Sequence, residues 1–271
     1  MPLLDARNLS IRFGGLKAVS DLSLSLEPGT LYGLIGPNGA GKTTCFNLLT
    51  GVYRPDSGSI TLDGRNLVGL RPYQIAQAGL ARTFQNIRLF ADLSVLDNVR
   101  IACHLRIDHG LFSTLLRLPR HLREERELTD RAIALLQLLG LDRVLDEKAG
   151  SLPYGDQRRL EIARALATQP KVLLLDEPAA GMNPAEKVQL RALIRQILRQ
   201  FDLSLLLIEH DMGVVMDICQ HITVLDFGVT IASGTPAEIQ SNPRVIEAYL
   251  GTSGTSVEDV LEHDRHPEDR P

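Results

Sequence analysis

Tryptophan is absent from this 271-residue chain, and aromatic residues make up only 4% of it. A surface that stacks single-stranded nucleic acid needs a row of aromatic faces, so the scarcity argues against that class. Cysteine is sparse: Cys45, Cys103 and Cys219 are odd in number and far apart. They form neither a disulfide framework nor a metal spacing, and a reducing cytoplasm is the expected setting. No apolar run approaches the ~18 residues of a membrane span, and MPLLDARNLS lacks the basic-then-apolar order of a secretory leader. Neither spanning nor secretion is expected; peripheral attachment through a partner stays open. An excess of one charge is missing too. The formal charge is −4, and residues 252–271 carry six acids and two arginines, so residues 1–251 balance to zero. A neutral body argues against nucleic acid as a partner. The polar tail 252–271 reads as disordered.

What remains is ordinary α/β material, 44% apolar and 23% charged, long enough for a well-buried core. LLDARNLSIRF and LSLSLEPG alternate as antiparallel strands, with turns at Gly14-Gly15 and Pro28-Gly29. LYGLI (31–35) is a short apolar strand that enters GPNGAGK and then a helical pattern through Leu49. GSITLD (58–63) reads as a strand, and helical patterns dominate from about Pro72 to Leu139. KVLLLDE (171–177) and LSLLLIEH (203–210) read as buried strands around a helix at 185–201. A helix at 211–219 and strands near 222–226 and 229–232 follow. The pattern predicts an α/β fold: a parallel-sheet core, an antiparallel N-terminal sheet and an inserted helical subdomain.

Gly36-Pro37-Asn38-Gly39-Ala40-Gly41-Lys42-Thr43-Thr44 fits G-x-x-x-x-G-K-[ST] between a strand and a helix, the context the motif requires. Its glycines let backbone N–H groups turn inward around phosphates, and the helix adds its positive end. Lys42 is placed to reach the β- and γ-phosphates and Thr43 to hold Mg²⁺. Asp176 and Glu177 end an apolar strand; one carboxylate suits the Mg²⁺ shell and the other suits orienting or deprotonating a water. His210 ends the next strand, where parallel strands deliver ligand contacts, and is expected at the γ-phosphate. Gln85, in ARTFQN, carries no signal of its own.

Taken in order, GPNGAGKTT, TFQN, LPYGDQ, LLLDEP, AGMNP and IEHD resemble the nucleotide-binding subunit of an ABC transporter across roughly residues 3–250. A kinase or GTPase would have the first motif and lack the rest. RFGGLKAV, YGDQRRLEIAR, DEPAAGMNP and VIEAYLG are similar to the ATPases of bacterial branched-chain amino acid importers. The resemblance implies an ABC ATP-binding domain over 1–251 with a P-loop NTPase core and a helical subdomain at about 87–165. It implies ATP hydrolysis with Lys42, Glu177 and His210 catalytic, and a Mg²⁺ site at Thr43, Asp176 and Gln85. It places Phe13 where the family stacks an aromatic on adenine, though a core-packing Phe is the alternative.

LPYGDQ aligns with the family's signature, so Tyr154, Gly155 and Asp156 would cover the γ-phosphate of an ATP held by an opposite subunit. Pro153 stands where the signature has Ser, and Asn183 where the family usually has Asp. Arg158 and Arg159 read as surface or packing residues without assigned chemistry. Implied partners are permease subunits, a second ABC ATPase in a heterodimer or homodimer, and indirectly a solute-binding protein. The implied location is the cytoplasmic face of the membrane, peripheral through the permease. The expected function is powering branched-chain or hydrophobic amino acid uptake; urea or amide import, or lipopolysaccharide export, is the alternative. An ABC ATPase of chromosomes would separate its nucleotide motifs by a very long coiled coil, whereas Lys42 and Asp176 are 134 residues apart. A translation factor would carry two cassettes. The basic segment 100–126 either faces the permease or lipid headgroups, or is a solvated helix-loop-helix, the reading we favour.

Overall fold

The computed structural model describes residues 2–106 and 119–253. The tail from residue 254 and positions 107–118 of the basic segment lie outside them. Strands β1 (Leu4–Phe13) and β2 (Leu16–Leu26) form a hairpin about Gly14-Gly15, with Phe13 paired to Leu16. The chain then enters β3 (Leu31–Ile35) and helix α1 (Lys42–Leu49). β4 (Ser57–Leu62) and β5 (Arg65–Asn66) complete a four-stranded antiparallel sheet in the order β2-β1-β4-β5.

Helix α2 (Pro72–Ala78) starts on a proline at its first position, which costs no hydrogen bond there, and stops at Gly79 with φ +112°. The turn at Gly79 returns the chain as a strand, β6 (Leu80–Arg82), inside the stretch that the sequence pattern predicts as helical. A three-residue strand carries no readable period. It exists because Leu80, Ala81 and Arg82 pair in parallel with Val172, Leu173 and Leu174. Helices α3 (Val95–Cys103), α4 (Pro119–Leu138) and α5 (Tyr154–Ala167) pack on one another. In the described part of the basic segment, Arg100 pairs with Asp97 and Glu125 at 3.1 and 3.3 Å.

β7 (Val172–Asp176), α6 (Pro184–Gln200), β8 (Ser204–Ile208), α7 (Met212–Ile218), β9 (His221–Asp226) and β10 (Val229–Gly234) follow, then α8 (Pro236–Gln240) and α9 (Pro243–Ser253). Helix starts are written in side chains: Asn183 caps α6 with Glu186 returning the bond, and Thr235 does the same for α8 with Glu238. Asn183 thus fills a local role for which its amide serves as well as a carboxylate. The second sheet runs β10-β9-β3-β8-β7-β6, parallel except for β10.

Both faces of this sheet are covered at its centre, so β7 and β8 are buried along their whole length and read as near-continuous apolar runs rather than alternating. Leu173, Leu175, Leu205 and Leu207 meet Leu160, Ile162 and Ile194 of the helical layer. Leu174, Leu206 and Ile208 meet Phe46 of α1 and Leu9 and Leu22 of the antiparallel sheet. The three cysteines are buried and free, and burial pushes the Cys45 thiol up to about 12.

Asn98 of α3 is fully buried and holds the loop that leaves β6: its amide donates to the Phe90 and Ser94 carbonyls, and its oxygen accepts from the Phe90 N–H, at 2.9–3.0 Å. Asn98→Ala strands those groups, and we expect it to lower unfolding free energy by about 1–3 kcal/mol. Denaturant titration showing wild-type stability would contradict this account of the loop.

Candidate functional site

The phosphate loop joins β3 to α1, and its shape is dictated by close approach. A Cβ on Gly36 would lie 2.1 Å from the Leu225 carbonyl oxygen, and one on Gly41 2.7 Å from that of Ala18. Gly41, at φ +101°, begins α1 without a side-chain cap or an acid in the first turn, leaving the helix's positive end to the loop. Lys42 is 7% exposed and donates to the Gly36 and Pro37 carbonyls at 2.6 and 2.9 Å. Burial lowers its pKa, opposed by the charges of Glu177 and Asp176. Phe13, Asn38, Gly39, Ala40, Gly41, Lys42, Thr43, Thr44 and Glu177 line one cavity of about 370 Å³. A glycine cradle, a helix N-terminus and a buried ammonium together fit a polyphosphate.

β6, β7 and β8 end on the same edge of the sheet as β3, and their next residues meet there. Glu177 has φ +46°, strained for a residue with a side chain; its N–H donates to the Ile208 carbonyl at 2.9 Å, extending the ladder one step past β7. The Gln85 amide donates to Glu177 Oε2 at 2.6 Å, and His210 Nδ1 lies 3.8 Å from the same oxygen. Gln85, Glu177 and His210 are therefore brought together. Glu209, fully buried, orders their surroundings by accepting from the N–H groups of Ala179 at 2.7 Å and His210 at 3.2 Å. Burial raises its pKa, and those N–H groups oppose the shift.

Asp176 is 3% exposed and pairs with Arg82 Nη2 through Oδ2 at 2.6 Å. Arg82 also donates to Asn47 at 2.7 Å and lies 5.3 and 5.1 Å from the ring centres of Phe46 and Phe84. Among the described residues no group of three or more His, Cys, Asp or Glu side chains could hold a metal. One buried carboxylate at the strand edge that also carries the phosphate loop fits Mg²⁺, which takes one or two carboxylates and keeps the rest of its shell for water and phosphate oxygens.

Tyr154, Gly155 and Asp156 open α5 and do not line the phosphate cavity. Pro153 is the N-cap and offers no side-chain bond. Tyr154 is 45% exposed, and its hydroxyl accepts from Arg158 Nη2 at 3.2 Å. Arg159 is a surface residue, bonded to Gln189. Of the two expectations for Arg158, surface or packing, the second is what the structure has: it is fully buried and donates to the Phe84 and Gln85 carbonyls at 2.6 and 2.8 Å, and to Glu161 at 2.8 Å. Glu161 accepts from the Phe84 N–H at 3.0 Å; burial raises its pKa, against the pull of that bond and of Arg158. Arg164 reaches the Arg88 carbonyl and lies 4.7 Å from the Phe90 ring centre. Residues 158, 161 and 164, spaced by three along one helix face, thus fasten α5 to segment 84–90. The phase was readable, since Arg158 precedes Ile162 and Ala165 on the buried stripe, but the loop it grips was not. A groove of about 700 Å³ opens behind this segment, lined by Val52, Ile75, Phe84, Arg88, Phe90 and Arg164 among others.

Comparison with known proteins agrees with this geometry. Residues 19–180 match the ABC transporter family, and residues 229–255 match the branched-chain amino acid ATP-binding cassette transporter family. The chain is 51% identical over 250 residues to the high-affinity branched-chain amino acid transport ATP-binding protein LivG of Salmonella typhimurium, covering 92% of this chain and 98% of that one. It is 36% identical over 251 residues to the lipopolysaccharide export system ATP-binding protein LptB of Escherichia coli, covering 93% and 98%. Among solved structures, the ADP conformation of MJ1267, an ATP-binding cassette of an ABC transporter, superposes with a TM-score of 0.80 at 30% identity, covering 93% and 99%.

Breaking a buried ion pair by removing one partner costs about 3–5 kcal/mol, whereas replacing both partners by apolar groups is often neutral. We expect Arg158→Met to lose stability on that scale in denaturant unfolding, and Arg158→Met with Glu161→Met to recover only the part due to the uncompensated Glu161 charge, because the Phe84 and Gln85 carbonyls and the Phe84 N–H then lack partners. A single variant as stable as wild type would show that the pair does not sit in a dry interior.

Proposed function

The chain belongs to the ABC transporter family of ATP-binding proteins, and we propose that it is the ATP-hydrolysing subunit of an importer for branched-chain or hydrophobic amino acids. The observation that carries the proposal is the row of Gln85, Glu177 and His210 beside the phosphate loop, with Tyr154 and Gly155 outside that cavity. The amino acid branch is supported by the second family match at 229–255 and by an identity to LivG well above that to LptB. Export of lipopolysaccharide is therefore the weaker alternative.

In this reading the loop from Gly36 to Thr44 binds the triphosphate, with Lys42 leaving the Gly36 and Pro37 carbonyls for the β- and γ-phosphates. Mg²⁺, when bound with ATP, supplies charge neutralisation at the phosphate oxygens, and Thr43, Asp176 and Gln85 are the residues that would hold it. Arg82 keeps the Asp176 carboxylate oriented. Glu177 directs a water in line at the γ-phosphorus, and His210 contacts the same phosphoryl group from the neighbouring strand end. Tyr154 and Gly155 serve the nucleotide of a second ATPase subunit, so two chains close head to tail around two ATP. No helix among the described residues is long and apolar enough to cross a membrane. Attachment then runs through permease helices, for which the apolar groove at Phe84 and Phe90 is the receptor surface. Arg158 and Glu161 carry the movement of that groove to the signature end of α5.

Co-purification of the chain with a permease, and ATP turnover stimulated by leucine, isoleucine or valine with their binding protein, is the expected result. Glu177→Gln should lower that turnover about 10²–10⁴-fold, the usual contribution of a positioned acid-base group. Pro153 removes a hydroxyl from the site completed by this chain's signature, a loss of roughly ten- to a hundredfold. In a pair of unlike ATPases, Glu177→Gln and the matching change in the partner should therefore cost unequal amounts. Stimulation only by a lipid or an amide would overturn the substrate class.

A further inference from the structure

The hairpin between β9 and β10 turns through Phe227 and Gly228, with Asp226 paired to Val229. Both turn residues have positive φ, +42° and +79°, as in the type I′ turn that joins twisted strands and favours Asn-Gly. Gly228 suits its place, where a Cβ would lie 2.5 Å from the Ala18 carbonyl oxygen. Phe227 does not, because a bulky side chain at positive φ is strained. Its ring is also 83% exposed, the highest value among the large apolar side chains described. The turn gains nothing from an aromatic residue here, and the core takes up none of it.

The turn that carries the ring is nevertheless anchored. The Gly228 N–H donates to the Ala40 carbonyl at 2.9 Å, and the Gly228 carbonyl accepts from the Ser20 N–H at 2.8 Å. One side of the turn is thus fastened to the phosphate loop and the other to β2. Phe227 lines the cavity that also contains Lys42 and Thr43, and Phe13 and Leu16 supply further apolar surface to it. Phe13, 45% exposed, meets Tyr53 edge-on at 5.1 Å between ring centres. The cavity therefore has a cationic, glycine-lined end for phosphates and an apolar end rimmed by two exposed aromatic rings.

We propose that Phe227 is a base-holding residue of the nucleotide site, its ring joining Phe13 in covering the flat base of the bound nucleotide. The inference rests on the reading of this cavity as an ATP site. Local backbone strain is retained where a ligand uses the side chain, and a purine offers the flat surface that an otherwise exposed ring lacks.

The test uses the purified full chain, with ATP, ADP and inorganic tripolyphosphate as probes in titration calorimetry, alongside thermal unfolding. Phe227→Asn, which suits the turn, should leave the unfolding midpoint unchanged or raise it. It should weaken ATP and ADP about five- to tenfold while leaving tripolyphosphate affinity unchanged, and Phe227→Tyr should restore wild-type affinity. Unchanged ATP affinity in Phe227→Asn would overturn the proposal, as would an equal loss for tripolyphosphate. A defect confined to nucleotide-dependent pairing of subunits would also overturn it, moving the ring to the interface. A wild-type chain that bound tripolyphosphate and ATP equally would remove the base site itself, and one that bound neither would overturn the ATP reading along with this inference.

Discussion

Strands that run parallel all finish on the same edge of their sheet, and this constraint organises the molecule. With β3, β8, β7 and β6 adjacent in that order, the segments leaving them form a row. The phosphate loop comes first, then Glu209 and His210, then Asp176 and Glu177, then the segment from Arg82 to Gln85. Residues up to 174 positions apart in the chain become neighbours because the strands that lead directly into them are hydrogen-bonded. Ligand sites in open parallel sheets lie at this edge for that reason. Glu177 shows the final adjustment: its backbone pairs with Ile208 as a strand residue would, while a positive φ redirects its side chain toward Gln85 and His210.

The edge is also where buried charge concentrates. A carboxylate removed from water is costly unless a partner and hydrogen bonds compensate it. Asp176 has Arg82, Glu161 has Arg158 and the Phe84 N–H, and Glu209 has three backbone N–H groups within 3.5 Å. Such pairs add little net stability, since desolvation offsets the attraction. Their consequence is positional. Arg82 can meet both Asp176 and Asn47 only with β6 in register, and Arg158 can meet two successive carbonyls only with segment 84–85 in one conformation.

Helix α5 gains its importance from these contacts. Its 14 residues run to Ala167, and the stretch from Tyr154 and Gly155 at one end to Arg164 at the rim of the apolar groove spans about 15 Å. Arg158, Glu161 and Arg164 tie it to the segment that presents Gln85 to Glu177. These bonds tie the position of segment 84–90 to that of α5, because buried polar groups are costly to leave unpaired. That linkage joins the phosphate edge to the rim of the apolar groove.

The sequence by itself determined much of this. Unbroken apolar runs in LYGLI, VLLLD and SLLLI mark strands buried on both faces, and GPNGAGKTT names its chemistry because glycine and lysine at that spacing suit one kind of ligand. The capping residues at 183–186 and 235–238 set helix starts through bonds no more than three residues long, although only the first of these helices is expected from the sequence pattern. Short-range rules of this kind are written in consecutive letters. β6 was not legible, because three residues hold no period and only β7 makes them a strand. Sequence alone leaves Arg158 between surface and packing because its partners are carbonyl oxygens 73 and 74 residues away, and carbonyls leave no mark in a sequence. Arg82 and Phe227 were hidden likewise: one owes its meaning to a carboxylate 94 positions on, the other to a turn fastened beside a distant loop. Tertiary structure decided these cases because a buried charge or an exposed ring is defined by what surrounds it, and the surroundings come from the whole chain.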